Sequence, residues 1–113
     1  ASGILIFNAG PETVQNNHVS GNDVNIYAGE DTAFSPAYAT PGQWSITGNT
    51  ISDAVNNQAN GYNTPNNAVG DGIQLDSTAN DVDVNGNTID GAANYGIESG
   101  CTGCPTPPST TTR

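Results

Sequence analysis

A short phrase occurs three times in this chain: Thr13-Val14-Gln15-Asn16-Asn17-His18-Val19-Ser20, Ser45-Ile46-Thr47-Gly48-Asn49-Thr50-Ile51-Ser52 and Asp83-Val84-Asn85-Gly86-Asn87-Thr88-Ile89-Asp90. In every copy an apolar residue stands three positions before an asparagine, and a β-branched apolar residue stands two after it. Self-similarity at such intervals is the mark of stacked architectures. The intervals, 17 to 49 and 49 to 87, are 32 and then 38 residues, so loops must absorb the difference. Architecture is constrained first, function second.

The apolar positions around each asparagine lie on separate short strands, with the asparagine at the bend between them. A further strand with period-2 alternation precedes or follows: Ile4 and Ile6, Val24 and Ile26, Ile73 and Leu75, then Ile97. Alternation over so few residues, bounded by Gly, Asn and Asp, is a strand signal. Each repeat therefore reads as strand, turn, strand, asparagine bend, strand, turn. An asparagine buried at such a bend can bond its counterparts above and below and satisfy backbone groups that a sharp turn leaves unpaired.

The pattern resembles the right-handed parallel β-helix family, the fold of pectate lyases. The residues that carry the resemblance are Val14/Asn17/Val19, Ile46/Asn49/Ile51 and Val84/Asn87/Ile89, with Gly72-Ile73-Gln74-Leu75 and Gly96-Ile97. It implies an all-β fold of about three to four coils with Asn17, Asn49 and Asn87 as a structural ladder. The expected core is Ile4, Ile6, Val14, Val19, Val24, Ile26, Trp44, Ile46, Ile51, Ile73, Leu75, Val82, Val84, Ile89 and Ile97. A leucine-rich repeat also stacks asparagines, but Leu5 and Leu75 are the only leucines here, and that alternative fails.

Composition agrees with a narrow core. Only 34% of residues are hydrophobic, too few to fill a wide interior but enough for strands that each turn one or two side chains inward. No apolar run is long enough to span a membrane, and Ala1-Ser2-Gly3-Ile4 lacks the basic start of a signal peptide. Eleven acids against one base give a net charge of −10. Nucleic acid is thereby excluded as a partner, since nothing could displace phosphate counterions. The scarcity of basic residues fits a secreted or cell-surface protein. Arg113, the sole base, is what a trypsin-like cut would leave at an end, so the chain reads as a fragment as readily as an ordinary boundary.

Cys101 and Cys104 are read as a local disulfide, because Gly103 and Pro105 do not suit a redox helix and His18 is the only histidine for a zinc site. Residues 1–104 form the expected repeat segment, with insertions at 28–43 and 53–71. Residues 105–113 are a Pro/Thr-rich linker or tail.

Function is sought on the outward face of the first strand of each coil. One expected column there is Leu5, Asn25, Gln74 and Glu98, and the other is Phe7, Tyr27 and Asp76. Both insertions, with Tyr38 and Tyr62, border this face and could wall a groove. Phe7, Asn25, Tyr27, Gln74 and Asp76 are the candidate ligand-binding set, with rings for sugar faces and polar groups for hydroxyls. Stacking of Phe7 on Tyr27 as simple cross-strand neighbours is the competing account.

Enzymes of the resembled family that cleave polyuronates use a basic side chain and usually Ca2+. The chain has no lysine, and His18 lies beside the bend, away from the groove. Glycoside hydrolysis needs only two carboxyls, ~5–9 Å apart. Asp71, Asp76 and Glu98 are the candidates, though Asp at a strand end is ordinarily a turn residue. No cofactor is required. Asp71 and Asp76 are also the candidates for Ca2+, without EF-hand spacing or tandem calcium nonapeptides.

The leading expectation is a non-catalytic extracellular scaffold or adhesion segment that binds a polysaccharide or surface glycan. A fragment of a polysaccharide-degrading or epimerising enzyme, and a fibre subunit that self-associates through the helix ends, are the alternatives.

Overall fold

The structure, a computed structural model, describes residues 2–7, 11–29, 44–55, 70–75, 82–99 and 110–112. Its elements are β1 (Ser2–Phe7), β2 (Thr13–Gln15), β3 (His18–Ser20), β4 (Val24–Gly29), β5 (Ser45–Thr47), β6 (Thr50–Ser52), β7 (Asp71–Leu75), β8 (Val82–Asn85), β9 (Thr88–Asp90), β10 (Ile97–Ser99) and β11 (Thr110–Thr112). Among the described residues there is no helix, and so none long and apolar enough to cross a membrane.

The strands visit three sheets in rotation. The sheets are ordered β1-β4-β7-β10, β11-β8-β5-β2 and β3-β6-β9, and every pairing is parallel. Parallel neighbours need a crossover, and here the crossover is the remainder of a turn through the other two sheets. The arrangement is all-β and compatible with a β-helix-like fold.

Short strands suffice because each contributes one or two β-branched residues to a shared column. Val14, Ile46 and Val84 stand in register in one sheet, as do Val19, Ile51 and Ile89 in another. Trp44, Ile26, Ile46, Ile51 and Ile73 are fully buried, and the half-buried Ile4, Ile89 and Ile97 pack against them.

The bend between the second and third sheets takes two residues each time. Its first residue is left-handed in all three copies: Asn16 (φ 57), Gly48 (φ 64) and Gly86 (φ 66). Glycine and asparagine are the residues that tolerate this conformation. The second residue is the repeated asparagine. Asn17 Nδ2 donates to Asn49 Oδ1 (3.1 Å), and Asn49 Nδ2 donates to Asn87 Oδ1 (2.9 Å). The backbone N–H groups of Asn17 and Asn49 donate to the same two oxygens, both at 2.9 Å. Asn49 Nδ2 and Asn87 Nδ2 also reach back to the carbonyls of Val14 (3.0 Å) and Ile46 (2.8 Å).

Two features differ from the sequence reading. The first sheet is in register as Ile4↔Ile26↔Ile73↔Ile97 and Ile6↔Ala28↔Leu75, whereas alternation alone aligned Val24 with Ile4. The strand is shifted by two residues, which preserves the parity of its faces. Ala28, assigned to the first insertion, is thus a core residue of β4. Asp71, assigned to the second insertion, opens β7. Second, Thr110–Thr112, placed in the tail, forms β11 on β8, in keeping with the strand preference of β-branched threonine.

Candidate functional site

The shifted register rebuilds the outward columns. Leu5, Tyr27, Gln74 and Glu98 now stand in one row across four strands. Phe7 stands beside Gly29 rather than Tyr27, so the expected stacking of those two rings as direct neighbours is absent. Leu5 and Phe7 are 60% and 44% exposed, while Tyr27, Gln74 and Glu98 are half-buried. Gln74 Nε2 donates to Glu98 Oε2 at 3.2 Å, which fixes the amide and the acid as one polar unit. The row thus runs from an aliphatic residue through an aromatic one to an amide and an acid.

Asn25 leaves the face. It is fully buried, with Nδ2 donating to Ser52 O (2.9 Å) and Oδ1 accepting from Asn22 N (3.3 Å) and Asn22 Nδ2 (3.0 Å). Its register partners are Gly3 and Gly72, each placed between residues already paired. A Cβ on Gly72 would meet Gly96 O at 2.6 Å and Ile89 Cγ2 at 2.7 Å. This level of the sheet is a crowded corner against the third sheet, so Asn25 ties the corner instead of facing a ligand. Asp76, Tyr38, Tyr62 and the Cys101/Cys104 pair lie outside the described residues.

Asp71 is 0% exposed. Its Oδ1 accepts from Asn94 Nδ2 (2.9 Å) and the Tyr95 backbone N–H (3.1 Å), while Oδ2 has no hydrogen-bond partner among the described residues. Burial, and after it the neighbouring Glu98 carboxyl, push the Asp71 acid up to about 7 against the lowering influence of those two donors. Asn94 and Tyr95 were not legible as site residues. Ala92-Ala93-Asn94-Tyr95 carries no alternation, and their role arises only when the chain passes over β7.

Of the carboxyls considered for catalysis, the structure therefore brings Asp71 and Glu98 together. The pair does not suit glycoside hydrolysis, because Asp71 is sealed from solvent and a sugar could not reach it. Among the described residues no three His, Cys, Asp or Glu side chains gather in a group that could hold an ion, and Asp76, the other calcium candidate, lies outside them. His18 is exposed on β3 in another sheet, beside Thr50. Asp83 and Asp90 are exposed as well. Of the described candidates on this face, Leu5 and Phe7 are exposed and Tyr27, Gln74 and Glu98 are partly so. No family model matches this chain, and neither curated proteins nor solved structures supply a match.

Proposed function

We propose that this chain is a segment of a right-handed parallel β-helix of the pectate-lyase-like kind, pinned by an Asn17–Asn49–Asn87 ladder. It serves as a secreted or cell-surface scaffold that binds a glycan along its first sheet. The observation that carries the reading is the in-register row Leu5, Tyr27, Gln74 and Glu98. Apolar and aromatic groups cover sugar faces, and an oriented amide–acid pair takes hydroxyls. With a net charge of −10 and a single base, the face favours neutral over anionic polysaccharides. An oxidising compartment and a Cys101–Cys104 bridge belong to the same reading. Intact mass before and after reduction tests the bridge.

The functional test is retention of the chain on arrays of neutral and anionic glycans, repeated with Tyr27→Ala and Gln74→Ala. Binding by the wild type, lost in both variants while their unfolding midpoints stay within a few degrees, supports the proposal. Failure of the wild type to bind any glycan overturns it. Release of reducing ends would point instead to a piece of a polysaccharide-degrading enzyme. Growth of light scattering with concentration would point to end-to-end assembly.

A further inference from the structure

Strand β10 and the segment before it are held to β7 by two sets of contacts. The backbone set runs from Gly72 N to Tyr95 O, Ile73 N to Gly96 O and Asn94 N to Gly70 O, each at 2.9 Å. The side-chain set consists of Asn94 and Tyr95 donating to Asp71 Oδ1 and of Gln74 donating to Glu98. One group is left over. Asp71 Oδ2 is a buried carboxyl oxygen without a partner among the described residues, and a second acid stands next to it. Two ionised carboxylates in that position repel each other, and neither can donate. A single proton between them would replace repulsion with a charge-assisted O–H···O bond and give Oδ2 its partner.

We propose that Asp71 and Glu98 share one proton, and that this proton fastens the 93–99 segment onto β7, so that the last turn of the ribbon loosens locally when the proton leaves. Among the described residues, the titratable groups around Asp71 are Glu98 on β10, Tyr95 on the preceding connection and Asp23 beside the start of β4. Asp23 is itself buried and engaged in interactions of its own. No lysine, arginine or histidine occurs in β4, β7, β10 or residues 91–96, so these elements supply no cation to hold two negative charges together.

The direction follows from the titration. The closed form holds its proton up to about pH 7, while in the opened form Asp71 returns to an ordinary acid near ~3.9. The proton's contribution is full only below about pH 4, where both forms hold it, declines as pH rises to about 7, and levels off above that. Between pH 6 and pH 8 the opening equilibrium rises about tenfold.

Native-state amide exchange of the full chain, corrected for intrinsic rates, reads this directly. Going from pH 6 to pH 8, the Gly72, Ile73 and Asn94 amides lose about tenfold in protection relative to those of β4 and β5. Asp71→Asn supplies a permanent N–H donor to Glu98, and its protection stays level across the same range. Glu98→Gln removes the second acid and shrinks the pH dependence, so it carries the test should Asp71→Asn fail to fold. Three outcomes overturn the proposal: unchanged wild-type protection, a full tenfold change persisting in the variants, or a loss spread equally over all three sheets.

Discussion

Replacing Asn49 by alanine tests the repeated asparagine at its most demanding position. Asn49 is 1% exposed and is the only one of the three with a copy on either side. Its removal strips an acceptor from both the Asn17 N–H and the Asn17 Nδ2, and a donor from the Val14 carbonyl. Asn87 Oδ1 keeps the Asn49 backbone N–H and Asn17 Nδ2 keeps the Gln15 carbonyl, so the uncompensated losses are two, at the Asn17 N–H and the Val14 carbonyl. An orphaned buried polar group costs about 1–3 kcal/mol. Because Asn17 is half-buried and water can reach part of the gap, the low end applies, and the expected loss is about 2–3 kcal/mol. That is a large share of the total for a small domain, about 5–15 kcal/mol.

Asn17→Ala is the control. It deletes a donor to Asn49 Oδ1, yet that oxygen still accepts the residue 17 backbone N–H, and the Gln15 carbonyl it abandons sits on an exposed residue. Its expected cost is about 1 kcal/mol. Urea unfolding followed by Trp44 fluorescence measures both. The reasoning is refuted if Asn49→Ala costs no more than Asn17→Ala, since the central amide would then be replaceable by solvent. Asn49→Asp sharpens the point. A carboxylate still accepts from Asn17 but cannot donate to Val14 O or Asn87 Oδ1, so it should be about as damaging near neutral pH and recover partly in acid.

Stability should also follow the Asp71 acid. The folded chain keeps a proton to about 7 that the unfolded chain releases near ~3.9, so stability falls as pH rises from about 4 to 7 and then levels off. The total is up to about 4 kcal/mol, and Asp71→Asn should abolish this slope in chemical denaturation. Gly72→Ala should cost about 2–3 kcal/mol, because its Cβ would press on the Gly96 carbonyl and Ile89. The unfolding midpoint checks it. At Gly86 (φ +66) the nearest atom to a new Cβ is Gly48 N at 3.9 Å, so space is free and only the backbone conformation resists. Gly86→Ala should cost about 1–2 kcal/mol and Gly86→Asn less, as Asn16 already occupies the matching place; equal costs would contradict the left-handed assignment.

Much of this architecture was legible because it is written locally and repeated. An apolar residue, a left-handed residue, an asparagine and another apolar residue are each constrained by the bend itself, and three copies make coincidence untenable. The first sheet was harder. Val24 is apolar and falls in the alternating pattern, so nothing in the string reveals that its register partners are Ser2 and Asp71 while Ala28 belongs to the core. A two-residue slip leaves side-chain parity intact, and alternation cannot detect it. Asn25 was misplaced by that slip, which turned a buried corner amide into an expected surface ligand. The surroundings of Asp71 were illegible for a different reason. They depend on where residues 94, 95 and 98 arrive after a full circuit, which no local pattern encodes.

The asparagine bend has one further consequence. β2–β3, β5–β6 and β8–β9 are each joined by two residues, 16–17, 48–49 and 86–87, whereas the joints elsewhere in each circuit range from three residues (21–23) to eighteen (53–70). Extra sequence is accommodated at two edges of the prism and refused at the third. Peptides grafted near 30–43 or 56–69 would find a frame already accustomed to cargo of varied length. A single residue spliced between Asn49 and Thr50 would throw β6 out of step with β3 and β9.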